Sequence, residues 1–233
     1  MKILITAATD IELNPIKESI IKLQDFYPHL SKFKFNFLNT GLGIPSTIFA
    51  LMDCIGNQRF DFCFNIGIAG SFDGDLMIGE TCFVQSDFFG DLSAEFSDGS
   101  TNDFFELGFI DPNLYPFTNK IMINPINIFD FNIKKVHGST VQKVHGSKAS
   151  IESFKFKYPN IEIETMESAA IFYVCLQKQI PFLCFRSISN YIEPRNKDNW
   201  NIPLAINNLQ HFIENFLINE FTILTQSMEN SSH

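Results

Sequence analysis

Four side chains suited to catalysis stand at or just beyond the ends of segments whose apolar patterns predict β-strands. Glu12 follows the first strand, and Glu167 and Asn190 each follow a strand in the C-terminal third. Arg186 lies inside the strand that Asn190 follows. Because ligands of α/β sheets bind at the carboxyl ends of strands, we expect these groups on one rim. The pattern predicts a polar small-molecule site whose carboxylates could accept protons.

Smaller residues complete the predicted rim. The segment GIAGS, at 67–71, follows an apolar strand and is expected to form a glycine turn that includes Ala69 and Gly70. Thr165 and Met166 stand directly before the second of the two carboxylates. The rim is therefore predicted to combine charged groups with a stretch of exposed backbone.

Each charged or amide residue also has a purely structural explanation. Thr9 and Glu12 match the T-x-x-E capping box, in which the glutamate bonds a backbone N–H at a helix start. Glu167 could be a first-turn acid that complements the helix dipole, and Asn190 could be a turn residue. Arg186 is harder to explain in this way, because a buried guanidinium needs a partner carboxylate. Spacing alone leaves both explanations open.

Alternating strand and helix patterns predict the frame that holds this rim. No linker or composition break divides residues 1–233, so we predict a single domain. Its predicted class is α/β, in three α/β/α layers around a central mixed, mostly parallel sheet. The predicted strands span 2–7, 32–38, 60–66, 81–86, 161–164 and 181–189, and the predicted helices span 10–23, 41–55, 166–179 and 204–224.

Two further segments have weaker patterns. Residues 87–127 are predicted to be rich in loops. The pentapeptide KVHGS occurs twice, at 135–139 and 143–147, and is predicted to form two strand-like pieces. In both pieces the histidine, His137 or His145, would alternate with apolar neighbours.

Common cofactor and metal motifs are absent from the sequence. Gly41 and Gly43 begin a G-x-G pattern, but Ser46 stands where a dinucleotide fingerprint needs its third glycine. The five histidines lack metal-ligand spacing, and the chain has neither a P-loop nor a G-x-S-x-G nucleophile elbow. We therefore expect no cofactor and no metal.

Composition limits the classes of partner. The formal net charge is -9, and an acidic surface repels phosphate backbones, so we expect no nucleic-acid partner. No apolar run is long enough to span a bilayer, and the N-terminal segment turns polar too early for a signal peptide. The five cysteines lack C-x-x-C spacing, which is typical of buried thiols in a reducing compartment. We expect a soluble cytoplasmic protein without a membrane partner.

Three segments resemble one enzyme superfamily. ETMESAAIF at 164–172, FRSISN at 185–190 and NIGIAGS at 65–71 are similar to the nucleoside phosphorylase and nucleosidase superfamily. Its members include the methylthioadenosine/S-adenosylhomocysteine nucleosidases, which have a Met-Glu helix start and an R-x-I-S-D strand end. The segment at 186–206, RSISNYIEPRNKDNWNIPLAI, resembles one branch more closely, the futalosine hydrolases of menaquinone biosynthesis.

The resemblance implies a role for each residue of the rim. Breaking an N-glycosidic bond makes the ribosyl carbon cation-like and the departing base anion-like. Glu12 is expected to hold and polarise the attacking water, with Arg186 orienting the pair. Glu167 is expected to accept hydrogen bonds from ribose hydroxyls. The further substrate contacts implied are Thr165, Met166 packing on the sugar, and Ala69 and Gly70, where backbone can approach closely.

Asn190 departs from the pattern of the methylthioadenosine nucleosidases, which have an aspartate there that donates a proton to N7 of adenine. An amide cannot give up a full proton, but it can donate hydrogen bonds to N7 and to a 6-oxo group. The hypothesis is that Asn190 selects 6-oxopurines. The implied reaction is hydrolysis of futalosine to dehypoxanthine futalosine and hypoxanthine.

The number and position of the cationic residues extend this expectation. Phosphorylases need a dense anion site, usually with arginines, and this chain has three arginines in all, so hydrolysis is favoured over phosphorolysis. Futalosine carries a benzoate arm that a cation should meet. Arg195 and Lys197 are candidates for that contact, with Trp200 or Tyr191 as an aromatic wall, although an exposed polar loop explains them equally well.

Other functions remain open at this point. The protein could be a nucleosidase for methylthioadenosine, S-adenosylhomocysteine or inosine-type substrates. It could instead bind a nucleoside without turnover, or be an interaction protein with no small-molecule site. The resemblance suggests a homodimer or a larger homo-oligomer, and fold likeness alone would not decide among the functions.

Overall fold

A computed structural model describes residues 1–126, 132–221 and 223. The first strand, β1 (Lys2–Ala7), shows why the sheet lies at the centre. Ile3 and Ile5 face one apolar core, while Leu4 faces another, and each is at most 1% exposed. A strand whose successive side chains point to opposite faces can bury both only if layers cover both sides.

Helices form those two layers. The core around Ile3 also contains Ile16 of α1 (Asp10–Phe26) and Leu209 of α5 (Ile202–Asn219). The core around Leu4 contains Leu51 of α2 (Gly43–Asn57) and Ile171 of α4 (Ser168–Gln177). The predicted α/β fold with helices on both sides of a central mixed sheet is therefore confirmed.

The remaining elements follow in chain order. The strands are β2 (Lys34–Asn39), β3 (Phe62–Ser71), β4 (Thr81–Asp87), β5 (Ser93–Glu95), β6 (Thr101–Asp103), β7 (Met122–Ile123), β8 (Lys134–Thr140), β9 (Ile163–Thr165) and β10 (Phe182–Tyr191). The helices are α1 (Asp10–Phe26), α2 (Gly43–Asn57), α3 (Lys148–Lys157), α4 (Ser168–Gln177) and α5 (Ile202–Asn219), with 3₁₀ turns at Pro28–Lys32 and Lys197–Asn199.

Five strands of the main sheet close into a ring. The strand order of the main sheet is β10-β4-β8-β9-β3-β1-β2. β10 also pairs with β3, and this pairing closes the ring. The β10–β3, β4–β8 and β8–β9 pairs are parallel, whereas β10–β4 and β3–β9 are antiparallel. β1 and β2 continue the sheet outward from β3 in parallel.

The sheet splits along one side of β3. Pairing of β3 with β1 ends at Asn65, and pairing with β9 begins at Gly70. On that side the residues between them have no partner strand in the described chain. A crevice where neighbouring strands diverge is the usual ligand position in α/β sheets.

The predicted glycine turn at 67–71 is wrong. These residues continue β3 to Ser71, paired with β10 throughout. Gly67 and Gly70 do not have the positive φ of a tight turn; their missing Cβ atoms instead make room for side chains above the strand. β10 likewise runs past its predicted end, so Asn190 lies within the strand and not beyond it.

The second KVHGS copy is also not a strand. The first copy lies in β8, as predicted, but residues 143–147 form a loop whose last residue, Ser147, caps α3. α3 was not predicted from the sequence. The final helix was expected to end near Leu224, which lies outside the described residues; α5 ends at Asn219.

The remaining expectations concern thiols and membranes. All five cysteines are free; four are buried and Cys54 is half-buried. In the described ranges no helix combines the length and apolar character needed to cross a membrane.

Candidate active site

Glu12 is fixed at the split in the sheet. It is the third residue of α1, and its Oε2 accepts hydrogen bonds from Thr9 N (3.1 Å) and Thr9 Oγ1 (2.7 Å) in a full capping box. Its Oε1 accepts from the N–H of Ile68 (3.1 Å), which lies in the unpaired stretch of β3. A carboxylate has about four acceptor sites, so one remains, on Oε1. The structural and the functional explanations of Glu12 are therefore compatible.

Arg186 lies beside this carboxylate but does not form an ion pair with it. A Cβ added at Gly67 would lie 3.0 Å from Glu12 Oε1 and 3.6 Å from Arg186 Cζ, so both groups share the space over this glycine. The guanidinium is 2% exposed and donates to Asn65 Oδ1 (2.5 Å) and Phe185 O (2.8 Å).

The expected direct carboxylate partner of Arg186 is thus absent. No carboxylate oxygen of the described residues lies within 4.0 Å of a guanidinium nitrogen. Neutral acceptors hold the group, and its charge is left to act on the carboxylates around it over longer distances. This explains how a guanidinium can be buried without neutralising Glu12 by contact.

Glu167 is held at the start of another helix. It occupies the N-cap position of α4, but its side chain does not cap that helix. Instead, Oε1 accepts from Gly43 N (2.9 Å) at the start of α2. Burial raises the pKa of the Glu167 carboxyl, the Gly43 N–H and Arg186 lower it, and Glu12 raises it; the net shift is upward. The two acids therefore lie close enough to influence each other.

Thr165 and Met166 occupy different environments. Thr165 is 4% exposed, and its hydroxyl joins a buried network with Thr140 Oγ1 and Ser168 Oγ, both at 3.0 Å. Its side chain therefore faces the interior and not the rim. Met166 is half-buried next to Glu167, so a ligand can reach its side chain.

Gly70 and Asn190 face each other across β3 and β10. They are register partners, and a Cβ on Gly70 would lie 3.2 Å from Asn190 Nδ2. A bulge at Ser189 precedes this pair, and the Ser189 hydroxyl lies within bonding distance of Ala69 O (3.2 Å) and Asn190 Oδ1 (2.8 Å). Asn190 Nδ2 donates to Tyr191 O (3.0 Å), which leaves one amide hydrogen for a ligand.

Arg195 lies farther out, on the loop after β10. Its side chain is exposed and stacks on Trp200, with 5.0 Å between the guanidinium carbon and the ring centroid. Its backbone N–H donates to Gly146 O (3.0 Å). Lys197, the other candidate for the benzoate contact, is exposed on the same loop.

The comparisons with known proteins assign the family. A family model described as the Phosphorylase superfamily matches residues 2–218. The chain belongs to the phosphorylase superfamily. Among curated superfamily members it is 25% identical, over 94% of this chain and 98% of the relative, to the 5'-methylthioadenosine/S-adenosylhomocysteine nucleosidase of Buchnera aphidicola from Acyrthosiphon pisum. A second Buchnera enzyme of that name, from Schizaphis graminum, is 27% identical over 88% and 91%.

Solved structures of the superfamily share the fold. The S-adenosylhomocysteine nucleosidase of Streptococcus pyogenes, in complex with 5-methylthiotubericidin, has a TM-score of 0.74 at 18% identity, over 94% of this chain and 97% of that one. The nucleosidase of Colwellia psychrerythraea, in complex with adenine, has a TM-score of 0.70 at 19% identity, over 93% and 94%.

An apolar cavity of about 670 Å³ adjoins the start of α2 in this superfamily member. Gln142 lines it and also accepts a hydrogen bond from Ile44 N (2.8 Å). The neighbouring N–H, of Gly43, is the one bonded to Glu167, so the start of α2 contacts both the cavity and that carboxylate. Its apolar lining includes Ile44, Ile48, Phe89, Leu92, Phe117 and Tyr173.

Several polar residues of this region could not be identified from sequence motifs. Asn65 lies in a strand predicted from its apolar neighbours, although it holds Arg186, and Gln142 lies in a loop without a motif. Glu164 and His145 form a close carboxylate–imidazole pair that spacing did not suggest. The signal available for Asn65 was its position as a polar residue in an otherwise apolar strand, which requires a buried partner.

Proposed function

We propose that the protein is a hydrolase that cleaves the N-glycosidic bond of a purine nucleoside. The observation that carries this is Glu12: three donors fix its carboxylate at the split in the sheet and leave one acceptor site on Oε1. A water bound at that site would be held by a group able to take its proton. General-base help of this kind contributes ~10²–10⁴ in rate.

The charges around Glu12 suit the reaction. As the bond to the base breaks, the ribosyl carbon becomes cation-like and is stabilised by nearby carboxylates. Glu12 and Glu167 supply two such groups, and the Glu167 oxygen not bonded to Gly43 can accept a ribose hydroxyl. Arg186 makes no ion pair with either carboxylate. Its charge favours the ionised form of Glu167, but it does not take up the carboxylate oxygens.

Water is favoured over phosphate as the nucleophile. The chain has three arginines: Arg186 is bonded to neutral acceptors, and Arg59 and Arg195 are exposed. Phosphate binding requires several convergent cations, and a fixed Glu12 carboxylate would repel the anion.

The relatives' names support methylthioadenosine and S-adenosylhomocysteine as the first candidate substrates. Nucleosidases for these two substrates were an alternative that the sequence left open, and the comparisons favour them over a futalosine hydrolase. The apolar cavity at the start of α2 has the lining that an apolar 5' substituent needs.

Futalosine is the second candidate, and Asn190 favours it. The free amide hydrogen of Asn190 can donate to a 6-oxo group or N7, but it cannot protonate N7 of adenine. Arg195, stacked on Trp200, is proposed to meet the benzoate arm. The oligomeric state proposed from the family resemblance is a homodimer or larger.

The test is base release in phosphate-free buffer from methylthioadenosine, S-adenosylhomocysteine, futalosine, aminofutalosine and inosine. We expect release from at least one, with Glu12→Gln reducing kcat by ~10²–10⁴. Glu18→Gln is the matched control, because Glu18 is an exposed acid on the same helix. Base release that depends on added phosphate would show a phosphorylase. Binding of a nucleoside without base release from any substrate would show a nucleoside-binding protein.

A further inference from the structure

Glu164 is a buried carboxylate that the reaction above does not use. It is 5% exposed and lies in β9. Both of its oxygens are bonded to one residue: Oε1 accepts from His145 N (3.0 Å), and Oε2 is bonded to His145 Nδ1. Since an ionised carboxylate only accepts hydrogen bonds, Nδ1 carries the hydrogen in this pair. When the imidazole is neutral, Nε2 is therefore the nitrogen without a hydrogen and can accept a hydrogen bond.

Neighbouring rings fix the direction of this imidazole. The His145 ring lies edge-on to Phe72, with centroids 6.1 Å apart, and tilted against Phe154 at 4.6 Å. Among the described residues, Nε2 has no hydrogen-bond partner. The His145 side chain is 16% exposed, so a ligand can approach it.

Sheet register places this pair opposite Asn190. Gly70 is the register partner of Glu164 in β9 and of Asn190 in β10, so the three residues lie side by side across three strands. Paired residues project to the same face, and two strand spacings separate the outer residues by ~10 Å. A Cβ on Gly70 would lie 2.9 Å from Ile192 Cγ1 and 3.2 Å from Asn190 Nδ2, so the Ile192 side chain lies over Gly70 beside the amide.

The loops that carry these groups are also joined. Gly146, next to His145, accepts a hydrogen bond from Arg195 N (3.0 Å) on the loop after β10. Ile192, which follows β10, packs with Phe72 and Phe154 in one apolar cluster. The imidazole and the amide are therefore held on connected parts of the structure.

We propose that His145, oriented by Glu164, reads the base of the substrate together with Asn190 and selects a 6-oxopurine. The protein then presents an acceptor, His145 Nε2, and a donor, Asn190 Nδ2. A 6-oxopurine presents the complement, a hydrogen on N1 and an acceptor at O6. A 6-aminopurine presents the reverse at both positions, so both contacts would be lost.

This inference rests on the proposed nucleosidase function and concerns only the base. It favours futalosine, the second candidate substrate, over methylthioadenosine and S-adenosylhomocysteine, whose base is a 6-aminopurine. In the reaction the oxygen of the attacking water bonds to the ribosyl carbon while Glu12 takes its proton, and the base leaves with the electron pair of the glycosidic bond. Glu164 acts through His145, so it is a positioning residue, whereas His145 contacts the base.

The experiment compares inosine with adenosine and futalosine with aminofutalosine, pairs that differ only at position 6. In the unaltered protein kcat/KM should favour the 6-oxo member of each pair. His145→Ala should reduce that preference at least ~10-fold, mainly through the 6-oxo substrate. His137→Ala is the matched control from the first KVHGS copy, since its side chain is exposed, and it should leave the preference unchanged.

Glu164→Gln separates positioning from general damage. A glutamine can donate to Nδ1, which would make Nε2 the protonated nitrogen and move the preference towards the 6-amino substrates. Thermal unfolding of each variant checks that the fold is retained. An unchanged preference in both folded variants, or a 6-amino preference in the unaltered protein, would overturn the inference.

Binding of free bases distinguishes this failure from failure of the proposed function. If no nucleoside is hydrolysed but hypoxanthine binds more tightly than adenine and loses that advantage in His145→Ala, the base-reading role stands without the hydrolase. If nucleosides are hydrolysed with a preference for 6-aminopurines, the proposed hydrolase function is supported and the proposed role of His145 is overturned. Isothermal titration supplies the binding measurement.

Discussion

The two copies of KVHGS have the same five residues and different structures. The first copy, 135–139, lies in β8 between β4 and β9. The second, 143–147, is a loop that ends in the cap of α3. In both copies the histidine N–H donates to a glutamate on the same stretch of chain: His137 N to Glu162 Oε2 (2.8 Å) and His145 N to Glu164 Oε1 (3.0 Å).

What differs is the surrounding chain. Val136, Gly138 and Ser139 of the first copy are buried, and β8 lies inside the sheet, paired with β4 on one edge and with β9 on the other. The corresponding residues of the second copy are half-buried or exposed. A stretch of five residues therefore does not fix its own conformation; strand partners or a following helix decide it. The comparison predicts that equal substitutions in the two copies have unequal effects.

The glycines should differ most. A Cβ at Gly138 would lie 2.6 Å from Asp87 Oδ2, and Asp87 is fully buried and fixed by Phe88 N (2.7 Å) and Thr140 Oγ1 (2.9 Å). Gly138→Ala should therefore lower the free energy of unfolding by about 3 kcal/mol, as overpacking does. Urea denaturation measures this.

Gly146→Ala is the matched change in the second copy. Its added Cβ would meet Arg195 Cβ at 3.4 Å, an ordinary contact, so the change should stay within ~0.5 kcal/mol. Equal losses in the two alanine variants would show that the buried contact with Asp87 does not decide the difference.

The valines should differ less. Val136 is 1% exposed and Val144 is half-buried. Val136→Ala removes two buried methyl groups and leaves a cavity, which costs roughly 2 kcal/mol of unfolding free energy. Val144→Ala should cost less than about 1 kcal/mol. The midpoints of urea denaturation compare the two, and a larger loss at Val144 would contradict the assigned burial.

The serines should reverse the order. Ser147 caps α3 by accepting from Ser150 N (3.2 Å), so Ser147→Ala should cost about 1 kcal/mol. The Ser139 hydroxyl is buried without a hydrogen-bond partner among the described residues, so Ser139→Ala should be neutral or slightly stabilising. A clear loss at Ser139 would mean that its hydroxyl has a partner, such as a bound water, and differential scanning fluorimetry would detect it.

The sequence predicted the frame of the fold and proposed the residues of the candidate site. Periodicity located β1, β4, α2 and the C-terminal elements to within a few residues, because these elements bury regular apolar stripes. Because Glu12, Glu167, Arg186 and Asn190 stand at or near the carboxyl ends of predicted strands, they were predicted to lie on the same rim of the sheet. Long-range register could not be predicted, so the strand character of 67–71 and the buried position of Thr165 were missed.

Contacts between distant loops could not be predicted either. The bond from Gly43 to Glu167 joins residues 124 positions apart, and the pair of His145 and Glu164 joins a loop to a strand. Neither has a local pattern. Asn65 had a signal, since a lone amide in an apolar strand needs a buried partner, but the identity of that partner depends on the sheet order.

The split in β3 makes one backbone amide a reporter of the site. Most amides of the closed ring are protected by a neighbouring strand, so their exchange with deuterated solvent requires the sheet to open. The Ile68 amide instead bonds the Glu12 carboxylate, and its protection depends on one side chain. Its exchange rate should change when a ligand displaces Glu12 or holds it more tightly, while the other amides of β3 keep their exchange rates. Ligand binding at the site can therefore be followed without catalysis.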